Sequence, residues 1–181
     1  MRDQFLPAQW ETMRLTISDS QATDTARLTK IFNACAYMEP WDPTVHQIPE
    51  TELAQLITDS LSHEAVRTNF RLQAIQPILA AAPVGYFHGS HHMPQPDVFF
   101  ISMFVLHPDQ QRFGYGREVI EGLTAQLKAL GYTGLWLRVY LKNWPALQFW
   151  ISQGFSSIIK YDGDPMHTTD SQASLILERK L

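Results

Sequence analysis

Two glycines separated by one residue, Gly114 and Gly116, stand where an apolar run ending at Leu106 gives way to an amphipathic run, Tyr115 to Leu130. The first run predicts a buried strand and the second a helix. Glycines let a ligand approach the main chain closely, and the first amides of a helix have no partner inside it. Because the helix dipole also favours negative charge there, this corner predicts a site for an anion such as a phosphate.

Two common glycine-rich phosphate loops do not match this corner. The P-loop of nucleoside-triphosphate-binding proteins ends in Gly-Lys followed by Ser or Thr, whereas this loop continues from Gly116 with Arg117 and Glu118. The dinucleotide motif needs three glycines in its own spacing after an early strand. Neither motif is therefore present, and the two glycines alone do not identify a ligand.

The elements around the corner follow from the apolar periodicity, which predicts one α/β (α+β) domain over residues 1–181 in the order βααβββαβαββ. A strand, a crossover helix and another strand favour a parallel pair, so we expect a mixed, twisted sheet of about seven strands with helices on both faces. The predicted strands are 14–18, 70–77, 82–92, 98–106, 134–140, 156–161 and 174–178, and the predicted helices are 20–37, 50–63, 115–130 and 143–155.

Composition excludes several classes of function. The 181 residues are 45% hydrophobic and carry a net charge of -4 without long runs of like charge, which argues against a nucleic-acid footprint. Neither a signal peptide nor an apolar run long enough to span a membrane is evident, so the expected location is cytoplasmic and no membrane partner is expected. The single cysteine, Cys35, is expected to pack in the core.

Two spaced motifs resemble the GNAT family of N-acetyltransferases. The family's acyl-CoA loop, V-x-x-P-x-x-[QR]-[GR]-x-G-x-[GA], is matched without a gap from Val105 to Gly116. A second family motif, N-x-x-A-x-x-[LF]-Y-x-x-x-G-F, is matched from Asn143 to Phe155, except that Trp150 stands at the tyrosine position.

The resemblance implies acetyl-CoA as the cofactor, bound where two neighbouring strands splay apart. Residues 103–105 would offer backbone groups to the pantetheine arm, 112–117 would hold the diphosphate, and Asn143 would lie near the sulfur. The implied cofactor residues are Met103, Phe104, Val105, Gln111, Arg112, Phe113, Gly114, Tyr115, Gly116, Arg117, Asn143, Ala146, Phe149 and Trp150.

The implied reaction is direct transfer of an acetyl group to a primary amine in a ternary complex. A backbone amide near Phe104 or Val105 would stabilise the oxyanion, and a base or water would take the amine proton. The indole at Trp150 cannot protonate the leaving thiolate, so water or Tyr140 would have to do so. The expected catalytic residues are Phe104, Val105, Ser102, His88 and Tyr140, with His46, His91 and His92 as weaker candidates for the base.

The acceptor is less well determined. The loop Tyr37 to Pro43 combines aromatic rings with two acids, which suits a cationic or aromatic amine, although it also fits a proline-rich loop whose tryptophan covers the core. The candidate substrate residues are Tyr37, Glu39, Trp41, Asp42 and Tyr86. Strand geometry disfavours a metal site at the three histidines between 88 and 92, so none is expected.

We therefore expect a small-molecule or peptide amine as partner, and leave a homodimer open. The alternative function is a non-catalytic acyl-CoA-binding sensor or interaction module, because a tyrosine and a strand carboxylate that many family members carry are absent. The two functions differ in whether thiol is released.

Overall fold

A computed structural model of the chain describes residues 5–62, 69–166 and 168–181. The strands are β1 (Gln9–Glu11), β2 (Leu15–Asp19), β3 (Phe70–Pro77), β4 (Gly85–His91), β5 (Val98–Leu106), β6 (Gly134–Tyr140), β7 (Ser157–Gly163) and β8 (Ala173–Lys180). The helices are α1 (Thr25–Ala34), α2 (Glu50–Leu61), α3 (Tyr115–Ala129) and α4 (Trp144–Ser152), with 3-10 turns at Ala22–Asp24, Ala36–Met38 and Pro108–Gln110.

The eight strands form one sheet in the order β1-β2-β3-β4-β5-β6-β8-β7. Only β5 and β6 are parallel within the described residues, and the helix that crosses between them is α3. The predicted α/β class, the parallel pair and the element order are confirmed, with one addition. Strand β1 is only three residues long, too short for alternation to be recognised in the sequence, and it is anchored by the buried indole of Trp10, whose Nε1 donates to Gln73.

Helices cover both faces of the sheet. Helices α3 and α4 pack on one face, and α1 and α2 pack on the other. The four most buried apolar residues of α3 recur at helical spacing and lie in the first core: Val119, Ile120, Leu123 and Leu127. Cys35 is completely buried in the second core, as predicted, and burial raises the pKa of its thiol to about 11.

The ends of the last two helices follow the expected local rules. After α3 the chain turns at Gly131, whose φ of 83° is in the left-handed region. Asn143 caps α4, since its side chain accepts a hydrogen bond from the amide of Ala146 at 3.2 Å, and Gly154 with φ 86° ends that helix. Within the described part of the chain, no helix has the length and apolar character needed to cross a membrane.

Candidate functional site

Strands β5 and β6 are paired over only part of their length. Their parallel register runs from Val98 opposite Gly134 to Ile101 opposite Leu137 and stops there. Strand β5 continues to Leu106 along β4, and β6 continues to Tyr140 along β8. The two strands therefore diverge, and among the described residues the backbone groups of β5 that face β6 beyond Ile101 have no strand partner.

A bulge in β5 marks the start of this fork. His88 of β4 is opposite Met103, but its neighbour Gly89 is opposite Ile101, so Ser102 is the extra residue. The bulge shifts the alternation of side chains: Met103 packs against the α1–α2 core, while Phe104 packs against the α3–α4 core. Ser102 itself is exposed and lies at the cleft.

The fork opens into a cleft of about 400 Å³. It is bordered by the end of β5, the last residues of β6, the N-terminal ends of α3 and α4, and the loop between α1 and α2. Its lining includes Tyr37, Trp41, Asp42, Ser102, Met103, Phe104, Val105, Gln111, Arg112, Gly116, Arg138, Asn143, Ala146, Phe149 and Trp150. Most of the site residues predicted from separate parts of the sequence are thus brought together in one place.

The loop before α3 has the backbone geometry of an anion cradle. Arg112 has φ 66° and Gly114 has φ 85°, both in the left-handed region. The first hydrogen bond of the helix is donated by Glu118 to the carbonyl of Gly114, at 3.0 Å. Among the described residues, no acceptor is bonded to the amides of residues 112–117, so these groups remain available to a ligand.

Arg14, just before β2, fixes this loop from outside. Its Nη1 donates to the carbonyl of Phe113 at 3.1 Å, and its guanidinium lies 4.9 Å from the centre of the Tyr115 ring. Because the N–H of a trans peptide points opposite to its C=O, the bond to Phe113 turns the amide of Gly114 away from Arg14. Sequence reasoning did not identify this residue.

Glu118 holds Arg14 in place. Its carboxylate accepts from the backbone amide and Nε of Arg14, both at 2.7 Å, and from Thr12 Oγ1 at 2.6 Å. Partial burial opposes the charge of this carboxylate, but these hydrogen bonds outweigh it, so the pKa of Glu118 is lowered. The α3 end of the cradle is therefore tied to the start of β2.

Of the other cradle residues, Gln111 and Phe113 differ in placement. The side chain of Gln111 borders the cleft but donates to the carbonyl of Leu106 at 3.0 Å, so it holds the end of β5. Phe113 is 61% exposed and stacks on Tyr115, and Arg117 pairs with Glu121 on the solvent side of α3. Phe113, Tyr115 and Arg117 thus lie outside the lining of the cleft.

Aromatic rings form the floor of the cleft below α4. Phe104 packs against both Phe149 and Trp150, with ring centres 6.2 and 5.7 Å apart. A Cβ on Gly116 would lie 3.1 Å from Phe149 and 3.6 Å from Leu106, so a side chain there would enter the cleft next to these two residues.

The α1–α2 loop forms the roof of the cleft on the opposite sheet face. Tyr37 and Trp41 meet edge to face at 6.3 Å, and both line the cleft. Asn143 joins this roof to α4, because its Nδ2 donates to Asp42 Oδ2 at 3.3 Å. Two other predicted substrate residues do not line the cleft: Glu39 is exposed outside it, and Tyr86 is fully buried in the α1–α2 core, where burial raises its pKa.

Two predicted catalytic residues also lie outside the cleft lining. His88 packs between Phe70 and Tyr86, and its Nδ1 is buried without a hydrogen-bond partner among the described residues. Burial lowers the pKa of His88 to about 4, so its imidazole is neutral at pH 7. Tyr140 is half-buried at the end of β6.

The other two histidines of the His88–His92 segment belong to a structural network. His91 Nε2 accepts from the amide of Leu6 at 3.3 Å, which leaves its Nδ1 to donate to Tyr132 Oη at 2.7 Å. Tyr132 Oη in turn lies 3.2 Å from His92 Nε2, and His92 Nδ1 bonds the carbonyl of Pro96. Within the described ranges, no group of three His, Cys, Asp or Glu side chains could hold a metal ion.

Arg138 is a cleft residue that the sequence analysis did not single out. It follows Leu137, the last residue of β6 that pairs with β5, and it is one of the residues that line the cleft, while its Nη2 donates to Asp162 of β7 at 3.2 Å. The sequence signal was only a charged residue within an otherwise apolar strand. A cationic residue thus starts where the two strands separate, with its guanidinium directed towards β7.

Comparison with known proteins agrees with this fold. The model of the acetyltransferase (GNAT) family matches residues 34–155. No curated protein matches the chain significantly in sequence.

Solved structures match the fold over nearly the whole chain. An acetyltransferase from Thermus thermophilus is 21% identical with a TM-score of 0.71, and the alignment covers 95% of this chain and 100% of that one. A protein from Chromobacterium violaceum described as a GNAT-family acetyltransferase has 13% identity, a TM-score of 0.79, and coverages of 97% and 88%. YncA from Salmonella typhimurium, solved with its cofactor acetyl-CoA, has 13% identity, a TM-score of 0.68, and coverages of 93% and 94%.

Proposed function

Because the chain belongs to the GNAT acetyltransferase family, we propose that it transfers the acetyl group of acetyl-CoA to a primary amine by direct attack in a ternary complex. GNAT acetyltransferases use acetyl-CoA, and one structure with the same fold contains it. The expected cofactor is thus supported by the family. The amine and the ternary complex are our proposal.

The observation that carries the proposal is the set of unbonded amides at 112–117 beside the fork. A diphosphate needs several donors and no side chain in its way, and the left-handed Arg112 and Gly114 shape the loop around such a group. The residues present therefore fit the phosphate end of acetyl-CoA. The unpaired edge of β5 from Met103 to Val105 fits the amide groups of its pantetheine arm, since an extended chain can bond to a free strand edge.

When bound, acetyl-CoA supplies a thioester whose acetyl group can be attacked by an amine. The backbone amide near Phe104 or Val105 would donate to the acetyl oxygen and stabilise the charge that develops there. The amine nitrogen forms a bond to the acetyl carbon, the carbon–sulfur bond breaks, and one amine proton leaves to solvent. The departing sulfur then takes a proton from water.

Proton transfer is the step for which the cleft offers the fewest groups. An amine with a pKa near 10.4 is mostly protonated at pH 7, so its proton must be removed before attack. Ser102 is the exposed polar side chain on the open edge of β5 and would orient water for this purpose. Trp150 is buried and its indole has no acidic proton to give, so we assign protonation of the thiolate to water.

His88 and Tyr140 remain candidates for the proton transfer. A neutral imidazole can accept a proton, but the pKa of about 4 makes His88 a weak base. It would act only if water reached the ring. We also propose that the acceptor is a small-molecule or peptide amine and that the protein is cytoplasmic. A homodimer is left open.

The test is thiol release from acetyl-CoA in the presence of a panel of primary amines, with mass spectrometry of the acetylated product. The proposal predicts stoichiometric thiol and acetyl-amine. A sensor would bind acetyl-CoA, with stabilisation of about 2.7 kcal/mol at 100 times its Kd, yet release no thiol with any amine. Failure of acetyl-CoA to stabilise the protein at all would remove the cofactor from the account.

A further inference from the structure

The charged side chains that line the cleft divide between its two sides. Arg112 belongs to the cradle at the start of α3, and Asp42 and Arg138 border the side where the acceptor would enter. The sequence analysis left two interpretations of the α1–α2 loop open, a site where its acids recognise a cationic amine and a proline-rich loop that covers the core. Whether Asp42 can serve this purpose depends on which of its oxygens are free.

Asp42 is already occupied by donors from its own protein. Its Oδ1 accepts from both the amide and the hydroxyl of Thr44, at 3.1 and 2.5 Å, and its Oδ2 accepts from Asn143. These bonds shape the turn after Trp41 and hold the roof on α4. The carboxylate is therefore a poor anchor for a cationic ligand.

Arg138 has unused donors and faces the acceptor side. Its neighbours Leu137 and Val139 pack into the α3–α4 core, so alternation along β6 places Arg138 on the face that carries the α1–α2 roof. Its Nη2 bonds Asp162 of β7 at 3.2 Å. Across the described part of the chain, its Nε and Nη1 donate to no other residue.

We infer that the acceptor amine also carries a carboxylate, and that Arg138 binds it. A guanidinium presents its N–H groups in a fork that matches the two oxygens of a carboxylate, and it can do so here while Asp162 fixes its orientation. The inference rests on the proposed acetyl transfer and names its acceptor class as amino acids. The apolar rings of Tyr37 and Trp41 would then face the amino-acid side chain.

The test compares L-alanine, L-phenylalanine and L-glutamine with their primary carboxamides as acceptors. For each variant, the ratio of kcat/KM between acid and carboxamide is measured. The carboxamide changes the pKa of the amine equally for every variant, so only a change in this ratio between variants reports recognition of the carboxylate. The variants are Arg138→Gln and Arg138→Lys.

Lys160→Gln is the matched control. Lys160 is also a cation next to Asp162, at 3.7 Å, but it lies on β7 outside the cleft lining. Lys160→Gln removes one positive charge, as Arg138→Gln does, at a similar distance from the Asp162 carboxylate. A general effect of charge would therefore appear in both variants, whereas recognition appears only at Arg138.

We expect Arg138→Gln to lower the acid-to-carboxamide ratio about tenfold, the lower end for a charge-assisted pair, because the Arg138 side chain is 47% exposed. Arg138→Lys should keep part of the preference, and Lys160→Gln should keep nearly all of it. As a second readout, 3-phenylpropanoate, which lacks the amine, should compete with L-phenylalanine in the parent protein and lose this competition in Arg138→Gln.

The inference would be overturned if acetyl transfer occurs but Arg138→Gln has the same acid-to-carboxamide ratio of kcat/KM as the parent protein. The proposed function would then remain intact. The same follows if 3-phenylpropanoate inhibits parent and variant equally, a readout that needs only residual activity. Absence of thiol release with every acid and every carboxamide would overturn this inference. The proposed function would fall with it only if no primary amine of the panel released thiol although acetyl-CoA binds.

Discussion

The polar groups near the two ends of β5 differ in whether they have hydrogen-bond partners. At the closed end, the strand is paired on both sides from Phe99 to Ile101, and the nearby His91, Tyr132 and His92 bond one another in a chain. At the open end, beyond Ile101, β6 leaves and the amides of 112–117 have no partner among the described residues. One strand thus joins a region that holds the fold to a region that can hold a ligand.

This difference gives a physical rule for separating structure from function in the molecule. Buried polar groups that bond one another stabilise the fold, and losing one partner exposes the other to its full desolvation cost. Polar groups left unbonded next to an open cleft contribute little to folding and gain their partners only with a ligand. Changes at the closed end should therefore alter stability, and changes at the open end should alter binding.

The largest effect is expected for Gly116→Val at the open end. The valine would project between Leu106 and Phe149, where even a Cβ is 3.1 Å from the ring. We expect the Kd for acetyl-CoA to rise about 100-fold, equivalent to about 2.7 kcal/mol, as measured by titration calorimetry.

Gly122→Ala on the same helix is the control for this change. Its Cβ would lie 2.6 Å from the Trp10 ring, far from the cleft lining, so it should lower the midpoint of thermal unfolding while acetyl-CoA affinity stays the same. Equal affinities for Gly116→Val and the parent protein would contradict the placement of the diphosphate at this loop.

The second effect is on stability at the closed end. Burial, with the nearby His92 and Arg71, lowers the pKa of His91 to about 3, and burial lowers that of His88 to about 4. Both are neutral in the fold but bind protons near pH 6.5 when unfolded. Their contribution is complete above that pH and is lost as pH falls towards 4 and 3, by up to about 1.4 kcal/mol per pH unit for each group.

His91→Gln should flatten this dependence. Glutamine can accept from Leu6 and donate to Tyr132 but does not titrate, so the free energy of unfolding, followed by urea titration between pH 7 and 5, should fall less steeply than in the parent protein. His46→Gln, in the exposed roof loop, should leave the slope unchanged. Parallel slopes for parent and His91→Gln would show that the network does not govern acid stability.

The smallest effect compares one arginine at each end. Arg14→Gln removes the donor to the Phe113 carbonyl, and because this side chain is 46% exposed we expect only about a fivefold loss in acetyl-CoA affinity. Arg71→Gln, at the closed end, removes a 2.8 Å pair with Asp19 and should reduce stability without changing that affinity. Loss of affinity in both variants, or in Arg71→Gln alone, would remove the distinction between the two ends.

The open end could be predicted from the sequence because its geometry is local. The cradle depends on the run from Val105 to Gly116, and the cap and end of α4 lie within Asn143 to Phe155, so both could be matched to the motifs of the family that the chain resembles. The parallel pair followed from the order of strand, helix and strand. The bulge at Ser102 could not be predicted, since it depends on the register with β4.

The remaining parts depend on contacts between distant residues. Arg14 meets Phe113 across 99 positions and Asp42 meets Asn143 across 101, and neither pair has a spacing that marks it. His91 and His92 looked like candidates for a base until their bonds to Tyr132 were seen. We expected Tyr86 to contact the acceptor in the cleft, but its ring is buried in the core.

The most direct test of the central claim is to follow the backbone amide resonances of the protein by NMR during titration with acetyl-CoA. The account predicts that the amide protons of residues 112–117 shift downfield as they gain phosphate acceptors, while those of His91, His92 and Thr133 at the closed end do not move. Saturation with acetyl-CoA that leaves the 112–117 amides unshifted would contradict it.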